Sequence, residues 1–151
     1  MADAIVAYLH YLSIFLLFAL LTLEHQLFKL PLDAPRALSL VRIDTAYGIC
    51  AGLVLATGVL RVIWFGKGLG YYLHNSVFHA KVGLFIVVGL LSILPTFIFV
   101  NWRNSLKAGA IPQVSATQAR LVTLTIRLEL LLLLIIPLLA TLMARGFGGI
   151  A

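Results

Sequence analysis

The stretch FHAKVGLFIVVGLLSILPTFIFVNW, residues 78–102, decides the class of fold. Apart from a titratable histidine, Lys81 is its one charged side chain, and residues 82–100 contain no Asp, Glu, Lys or Arg. A helix needs about 20 consecutive apolar residues to cross the hydrocarbon core of a bilayer. We therefore predict a membrane-spanning helix over residues 78–102.

Three further apolar runs have the same character and cover about residues 5–28, 45–65 and 117–144. Of the 151 residues, 62% are hydrophobic and 11% are charged, whereas a soluble domain has about 25% charged residues. These features predict an all-α, polytopic membrane protein. Its four transmembrane helices, spans one to four in chain order, are expected to form one bundle and a single domain over residues 1–151.

The net charge of +6 is placed at the ends of the apolar runs rather than in one stripe. We therefore expect the basic residues to contact the lipid bilayer, and we expect no nucleic acid as a partner. One side of the membrane carries six of them: Lys29, Arg36, Arg42, Arg103, Lys107 and Arg120. The other side carries four: Arg61, Lys67, Lys81 and Arg145. This bias predicts that the first side is cytoplasmic, here called the inner side, and that both termini lie on the outer, periplasmic side.

The loop GYYLHNSVFHAK, residues 70–81, leads into span three and is rich in aromatic and basic side chains. The predicted topology brings its His74 and Lys81 to the outer side, where His10 and Arg61 also lie. Helical spacing directs Lys81 towards the bundle interior. An ionisable residue inside a membrane is a functional candidate, although Lys81 could also extend to the interface from one turn inside.

His10 lies about two turns below the outer surface in an otherwise apolar helix. One interpretation is a hydrogen bond to a neighbouring helix. The other is a haem or metal ligand, since neutral imidazole is the usual axial ligand of membrane cytochromes. Arg61 and Lys81 are then candidates to bind the haem propionates, and His74 is a further cofactor-binding candidate.

A second polar layer is expected nearer the inner side, about 21 Å from His10 along span one at 1.5 Å per residue. It contains Glu24, Asp44, Arg127 and Glu129. Arg127 should not remain unpaired in hydrocarbon, so the three carboxylates are its expected partners, and such pairing would set the helix register. The alternative is a proton relay through Glu24, His25 and Asp44.

Four segments resemble a family of small bacterial inner-membrane proteins that share a predicted membrane domain of unknown function. These segments are YLHYL (8–12), RIDTAYG (42–48), YLHNSVFHAK (72–81) and SILPT (92–96). The resemblance extends over essentially the whole chain. It implies a multi-pass protein of the bacterial inner membrane.

More distantly, the layout is similar to HemJ-type protoporphyrinogen oxidases and to CopD-type copper-resistance membrane domains. In the HemJ-type family, two residues are implicated in binding haem b: a histidine early in the first span and a lysine at the start of a later span, in an aromatic-x-x-Lys context. His10 and the Lys81 of FHAK fall on those positions. The resemblance implies haem b, with His10 as an axial ligand of the iron and Lys81 as second axial ligand or propionate partner.

Two functions follow from these observations. The first is a haem b-binding membrane protein with a redox or tetrapyrrole-related role, its haem lying near the periplasmic face between spans one and three. A quinone or a porphyrin in the bilayer would then be its substrate, and the protein would be an oxidoreductase. The second is a non-enzymatic membrane subunit or a small transporter, in which the buried charges are structural or relay protons. Four spans are few for a monomeric transporter, so this function requires a homodimer.

Overall fold

The computed structural model describes residues 1–149 and is built of α-helices. The helices are α1 (Ala2–Leu27), α2 (Ala34–Ile63), α3 (Leu69–Leu73), α4 (Ser76–Lys107) and α5 (Ala116–Ala144). Among the described residues, α1, α2, α4 and α5 are long and apolar enough to cross a membrane. The predicted all-α class and its four spans are thus confirmed, while the orientation of the termini stays a prediction.

The long helices form two hairpins that pack side by side. α1 lies against α2, α4 lies against α5, and α2 joins the hairpins by packing on α4, whereas α1 and α5 meet over a smaller contact. The core between them contains large side chains that are almost fully buried: Leu17, Leu21, Leu40, Phe99 and Ile126. The outward faces remain rich in exposed Leu, Ile and Phe, as expected for helices surrounded by lipid.

Helix α2 begins eleven residues before the predicted start of span two at residue 45. The sequence around Pro35 reads as a helix breaker, yet this proline occupies the first turn of α2. Proline is tolerated there because its missing N–H has no helical partner in any case. Asp33 is the N-cap, and its side chain accepts a 2.8 Å hydrogen bond from the Arg36 backbone N–H.

The outer connection between α2 and α4, predicted as a loop, contains the short helix α3 and is tied to the C-terminal segment. The backbone N–H of Ser76 donates to the carbonyl of Gly148 at 2.8 Å, and Asn75 Nδ2 donates to the carbonyl of Phe147 at 3.1 Å. Gly148 has φ +88°, and a Cβ at this position would lie 2.5 Å from Val77 Cγ2. These contacts close the outer end of the bundle around a position that requires glycine.

Candidate functional site: two polar layers in the bundle

The antiparallel α1–α2 hairpin arranges its polar side chains at two depths. Near the outer end, His10 on α1 lies beside Thr57 on α2. The number of residues from His10 to Glu24 on α1 is nearly the same as the number from Thr57 back to Asp44 on α2. Because the two helices are antiparallel, Glu24 and Asp44 also lie at one depth. At 1.5 Å per residue the two levels are about 20 Å apart. The structure therefore contains the two separate layers that the sequence predicts.

In the outer layer, the ring of His10 lies against the hydroxyl of Thr57. His10 Nδ1 lies 2.9 Å from Thr57 Oγ1, and the Thr57 hydroxyl lies 2.6 Å from the carbonyl oxygen of Leu53. A hydroxyl has a single proton, and the close carbonyl can only accept it, so we assign His10 Nδ1 as the donor to Thr57. In that tautomer Nε2 carries a lone pair that accepts no hydrogen bond from residues 1–149. The ring lies close to Gly58, where a Cβ would be 3.3 Å from His10 Cε1.

Two cations of the outer layer lie against aromatic rings. Arg61 Cζ is 5.3 Å from the centroid of Tyr11, and Lys81 Nζ is 5.3 Å from the centroid of Phe78. Both distances are within the range of cation–π attraction. Both charges are also near enough to act on the His10 ring. The structure thus brings His10, Arg61 and Lys81 into one neighbourhood.

The other two outer histidines have local partners. His74 follows α3, and its Nδ1 lies 2.9 Å from the carbonyl of Gly70. His79 Nε2 lies 2.9 Å from the carbonyl of Leu73. Both side chains are exposed. Because α4 begins only at Ser76, His74 does not share a helix with Lys81, and its ring engages its own helix.

The inner layer is formed by three buried carboxyls on three different helices. Glu24 on α1 is 1% exposed, Asp44 on α2 is 4% exposed, and Glu129 on α5 is 0% exposed. The Tyr47 hydroxyl donates to Glu129 Oε2 at 3.0 Å, and the Thr96 hydroxyl donates to Asp44 Oδ1 at 2.6 Å. Glu24 lies near enough to the other two carboxyls for their charges to interact. We call Glu24, Asp44 and Glu129 the carboxyl layer.

Two fully buried oxygens of the carboxyl layer have no hydrogen-bond partner among residues 1–149. They are Glu24 Oε2 and Glu129 Oε1, and both are buried. A buried polar atom without a partner costs free energy, and a buried charge without one costs more. Within the same residues, no group of three or more His, Cys, Asp or Glu side chains is arranged to hold a metal ion.

Arg127 does not pair with these carboxyls, so the predicted ion pair is wrong. Its side chain is exposed, and its Nε donates to His25 Nε2 at 3.1 Å. The reason is helical geometry, because Arg127 and Glu129 are two residues apart and therefore point to nearly opposite sides of α5, about 160° from each other. Glu129 therefore faces the core while Arg127 faces outwards, beside a cavity of about 330 Å³ that Phe28 and Arg127 help to line. The relay candidate His25 lies at this surface too, one residue from Glu24.

Comparison with protein families matches residues 2–148 to the family described as "Predicted membrane protein (DUF2214)". The chain belongs to this family. The match includes both polar layers and confirms the family expected from the sequence. Comparison with curated proteins and with solved structures finds no match. The more distant resemblance to HemJ-type and CopD-type proteins stays a prediction.

Sequence reasoning missed two side chains that complete the layers, Tyr47 and Thr57. Tyr47 lies three residues after Asp44 and therefore on the same face of α2. Thr57 lies one turn before Arg61, at the depth that an antiparallel hairpin assigns to the partner of His10. Helical spacing therefore predicts the position of Tyr47 from that of Asp44 and the position of Thr57 from that of Arg61.

Proposed function

We propose that this membrane protein takes up and releases protons at its carboxyl layer, as one station of a proton relay. The observation that carries the proposal is the pair of buried, unpartnered oxygens, Glu24 Oε2 and Glu129 Oε1. A proton on a carboxyl oxygen removes the charge and turns that oxygen into a hydrogen-bond donor. Protonation therefore relieves the two unfavourable features of this layer, an isolated charge and an unpartnered atom.

The remaining geometry supports exchange of protons within the layer. Neighbouring carboxyls that interact strongly titrate as a group, so a proton can be shared among Glu24, Asp44 and Glu129. The Tyr47 hydroxyl donates to one oxygen of Glu129, and the Thr96 hydroxyl donates to one oxygen of Asp44. The other oxygen of Glu129 has no donor within residues 1–149. No Lys or Arg forms an ion pair with any of the three carboxyls within residues 1–149, so no cation replaces the proton.

We infer that protons reach the layer from the inner surface along the seam between α1 and α5. His25 lies in the last turn of α1 and accepts a hydrogen bond from Arg127 of α5 beside the cavity at that surface. Imidazole exchanges protons near neutral pH, and His25 is the sequence neighbour of Glu24. We place His25 between the inner surface and the carboxyl layer in the proposed relay.

The alternative is that the three carboxyls only fix the helix register. Infrared difference spectra of the purified protein between two pH values distinguish these roles, because a carboxyl that exchanges protons contributes a band that changes with pH. We expect this band in the wild type and its partial loss in Glu24→Gln and in Glu129→Gln. Asp3→Asn, which changes an exposed carboxyl at the start of α1, serves as control. Spectra of folded Gln variants that equal the wild-type spectrum in this region would exclude proton exchange by the layer.

A second candidate function is haem b binding in the outer layer, and one observation favours it. Histidines that ligate metals commonly donate their other ring nitrogen to a neighbouring acceptor. His10 has this arrangement, with Nδ1 bonded to Thr57 and Nε2 without a partner in the described part of the chain. His10 would bind the iron through Nε2, Lys81 would be the second axial ligand or a propionate partner, and Arg61 would be a propionate partner. The haem would supply one-electron chemistry, with a quinone or porphyrinogen as the partner in the bilayer.

The haem proposal is tested by the absorption spectrum of the detergent-purified protein, as isolated and after dithionite. We expect a Soret band with reduced α and β bands, their loss in His10→Ala, and their retention in His74→Ala. Thr57→Val should shift or weaken the bands, because it removes the acceptor that orients the ring. A wild-type protein that remains colourless after addition of haemin, or a full spectrum in His10→Ala, would exclude His10 as the ligand.

A further inference from the structure

A groove of about 750 Å³ opens between α2 and α4 at the inner end of the bundle. Its walls are mainly apolar and include Pro35, Leu38, Val41 and Leu106. The groove begins where α2 begins and extends beside the last turns of α4. It therefore lies where a helix bundle meets the headgroup region of the bilayer.

Three cations line the same groove: Arg42 on α2, and Arg103 and Lys107 on α4. Arg103 and Lys107 are four residues apart and so share one helix face. No acidic residue lines the groove. The carboxyl whose charge Arg103 does reach is Asp44, which is buried in the bundle and forms no ion pair with it within residues 1–149.

The guanidinium of Arg103 has a defined position. Arg103 Nη2 donates to Thr45 Oγ1 at 2.8 Å, so the side chain extends from α4 across to α2. Thr45 also lines the groove and is the sequence neighbour of Asp44. Within residues 1–149 the other guanidinium donors of Arg103 have no partner, and a fixed guanidinium is well suited to phosphate oxygens.

We propose that this groove binds one anionic phospholipid of the inner leaflet. The phosphate-containing headgroup lies among Arg42, Arg103 and Lys107, and one acyl chain lies along the apolar wall. The cations of the groove match the anionic headgroup, and its apolar wall matches the acyl chain. Basic sites between transmembrane helices are known to recognise anionic headgroups. Basic residues that served only as topology signals would not need to line one groove from two helices, with one of them fixed by a side-chain hydrogen bond.

Native mass spectrometry of the intact protein, with added phosphatidylglycerol or phosphatidylcholine, tests the proposal. We expect the wild type to retain phosphatidylglycerol and Arg42→Gln/Arg103→Gln to lose it by at least about tenfold, because each charge-assisted hydrogen bond contributes on the order of a factor of ten in binding. The matched control is Lys29→Gln/Arg120→Gln, which removes the same charge from the same end of the bundle outside this groove. The control should retain the lipid.

Three outcomes would overturn the proposal. The first is equal loss of phosphatidylglycerol in the two double variants, which would show general attraction by the basic inner surface. The second is equal retention of phosphatidylcholine and phosphatidylglycerol by the wild type. The third is displacement of the bound lipid by millimolar inorganic phosphate, which would show that a soluble anion is the occupant. Thermal unfolding in detergent checks that both double variants are folded.

Discussion

The two polar layers of this bundle meet the cost of polar groups in a membrane in different ways. In the outer layer, His10 is half-buried and bonded to Thr57, and the cations lie against aromatic rings. In the inner layer, three carboxyls are almost fully buried, and two of their fully buried oxygens have no partner within residues 1–149. Both layers are built on the same helix, α1, so the difference comes from what the neighbouring helices supply.

The completeness of hydrogen bonding in each layer indicates which layer has a functional role. A polar group with a complete set of partners can be explained by stability alone. A buried polar group without a complete set of partners lowers stability, so stability does not explain its presence and a function can. Ionisable residues inside membranes mark proton and ion pathways by default. The carboxyl layer therefore has the stronger claim to a role in proton exchange, while the free Nε2 of His10 keeps a ligand role open for the outer layer.

The largest expected effect separates the two layers by proton flux. In liposomes with an internal pH dye and a potassium diffusion potential, Glu24→Gln should lower proton uptake by about 100-fold, in line with the typical contribution of a positioned proton-transferring side chain. His10→Ala should leave uptake close to that of the wild type, because His10 lies outside the carboxyl layer. A reversed order, with His10→Ala the more damaging change, would assign proton transfer to the outer layer.

A smaller effect is expected from removing the hydroxyl that holds Glu129. Tyr47→Phe leaves both Glu129 oxygens without a donor in the core and should lower the free energy of unfolding by about 1–3 kcal/mol. Unfolding of both proteins in detergent by a chemical denaturant measures this difference in the free energy of unfolding. Tyr8→Phe is the matched control, because Tyr8 is 65% exposed on α1. Equal stability of the two variants would mean that the bond between Tyr47 and Glu129 contributes little.

Much of this architecture follows from the sequence, because hydrophobic length fixes the spans and alternating direction fixes the depth of each polar residue. Glu24, Asp44 and Glu129 could be assigned to one layer on that basis alone. Their partners could not, because these depend on how each helix is rotated. Arg127 illustrates the limit, because its direction, about 160° from that of Glu129 on α5, excludes the ion pair expected from its depth.

The outer closure of the bundle had no signal in the local sequence. Asn75 and Phe147 are 72 residues apart, and their bond depends on the path of the C-terminal segment after α5. Pro35 shows a different limit, because a proline next to an apolar run is compatible with either the end or the first turn of a helix. The N-cap bond of Asp33 decides in favour of the first turn.

The two ends of the bundle are also held differently, and a glycine substitution measures the outer one. Gly148→Ala should destabilise the outer closure by about 1–2 kcal/mol, because alanine is strained at positive φ and its Cβ would collide with Val77. Gly149→Ala is the control, since a Cβ there meets nothing within 4 Å. Hydrogen exchange of the Ser76 amide, which donates to Gly148, should accelerate in the first variant only. Equal exchange in both variants would show that the closure tolerates a side chain at residue 148.

The inner end depends instead on a charged cap, which predicts a small effect of pH. Hydrogen bonds from Arg36 to the Asp33 carboxylate hold the pKa of Asp33 below its ordinary value of 3.8. A group whose pKa is lowered by folding contributes stability above its unfolded pKa, and that contribution is lost as the pH falls through the folded value. The start of α2 should therefore loosen only below about pH 3.8, as seen in faster exchange of the Arg36 amide relative to amides in the middle of α2.

Asp33→Asn keeps an acceptor for this amide but removes the charge, so its exchange should show no such transition. A transition that persists in Asp33→Asn would have to come from another carboxyl, and the buried layer that contains Asp44 on the same helix would be the first place to look.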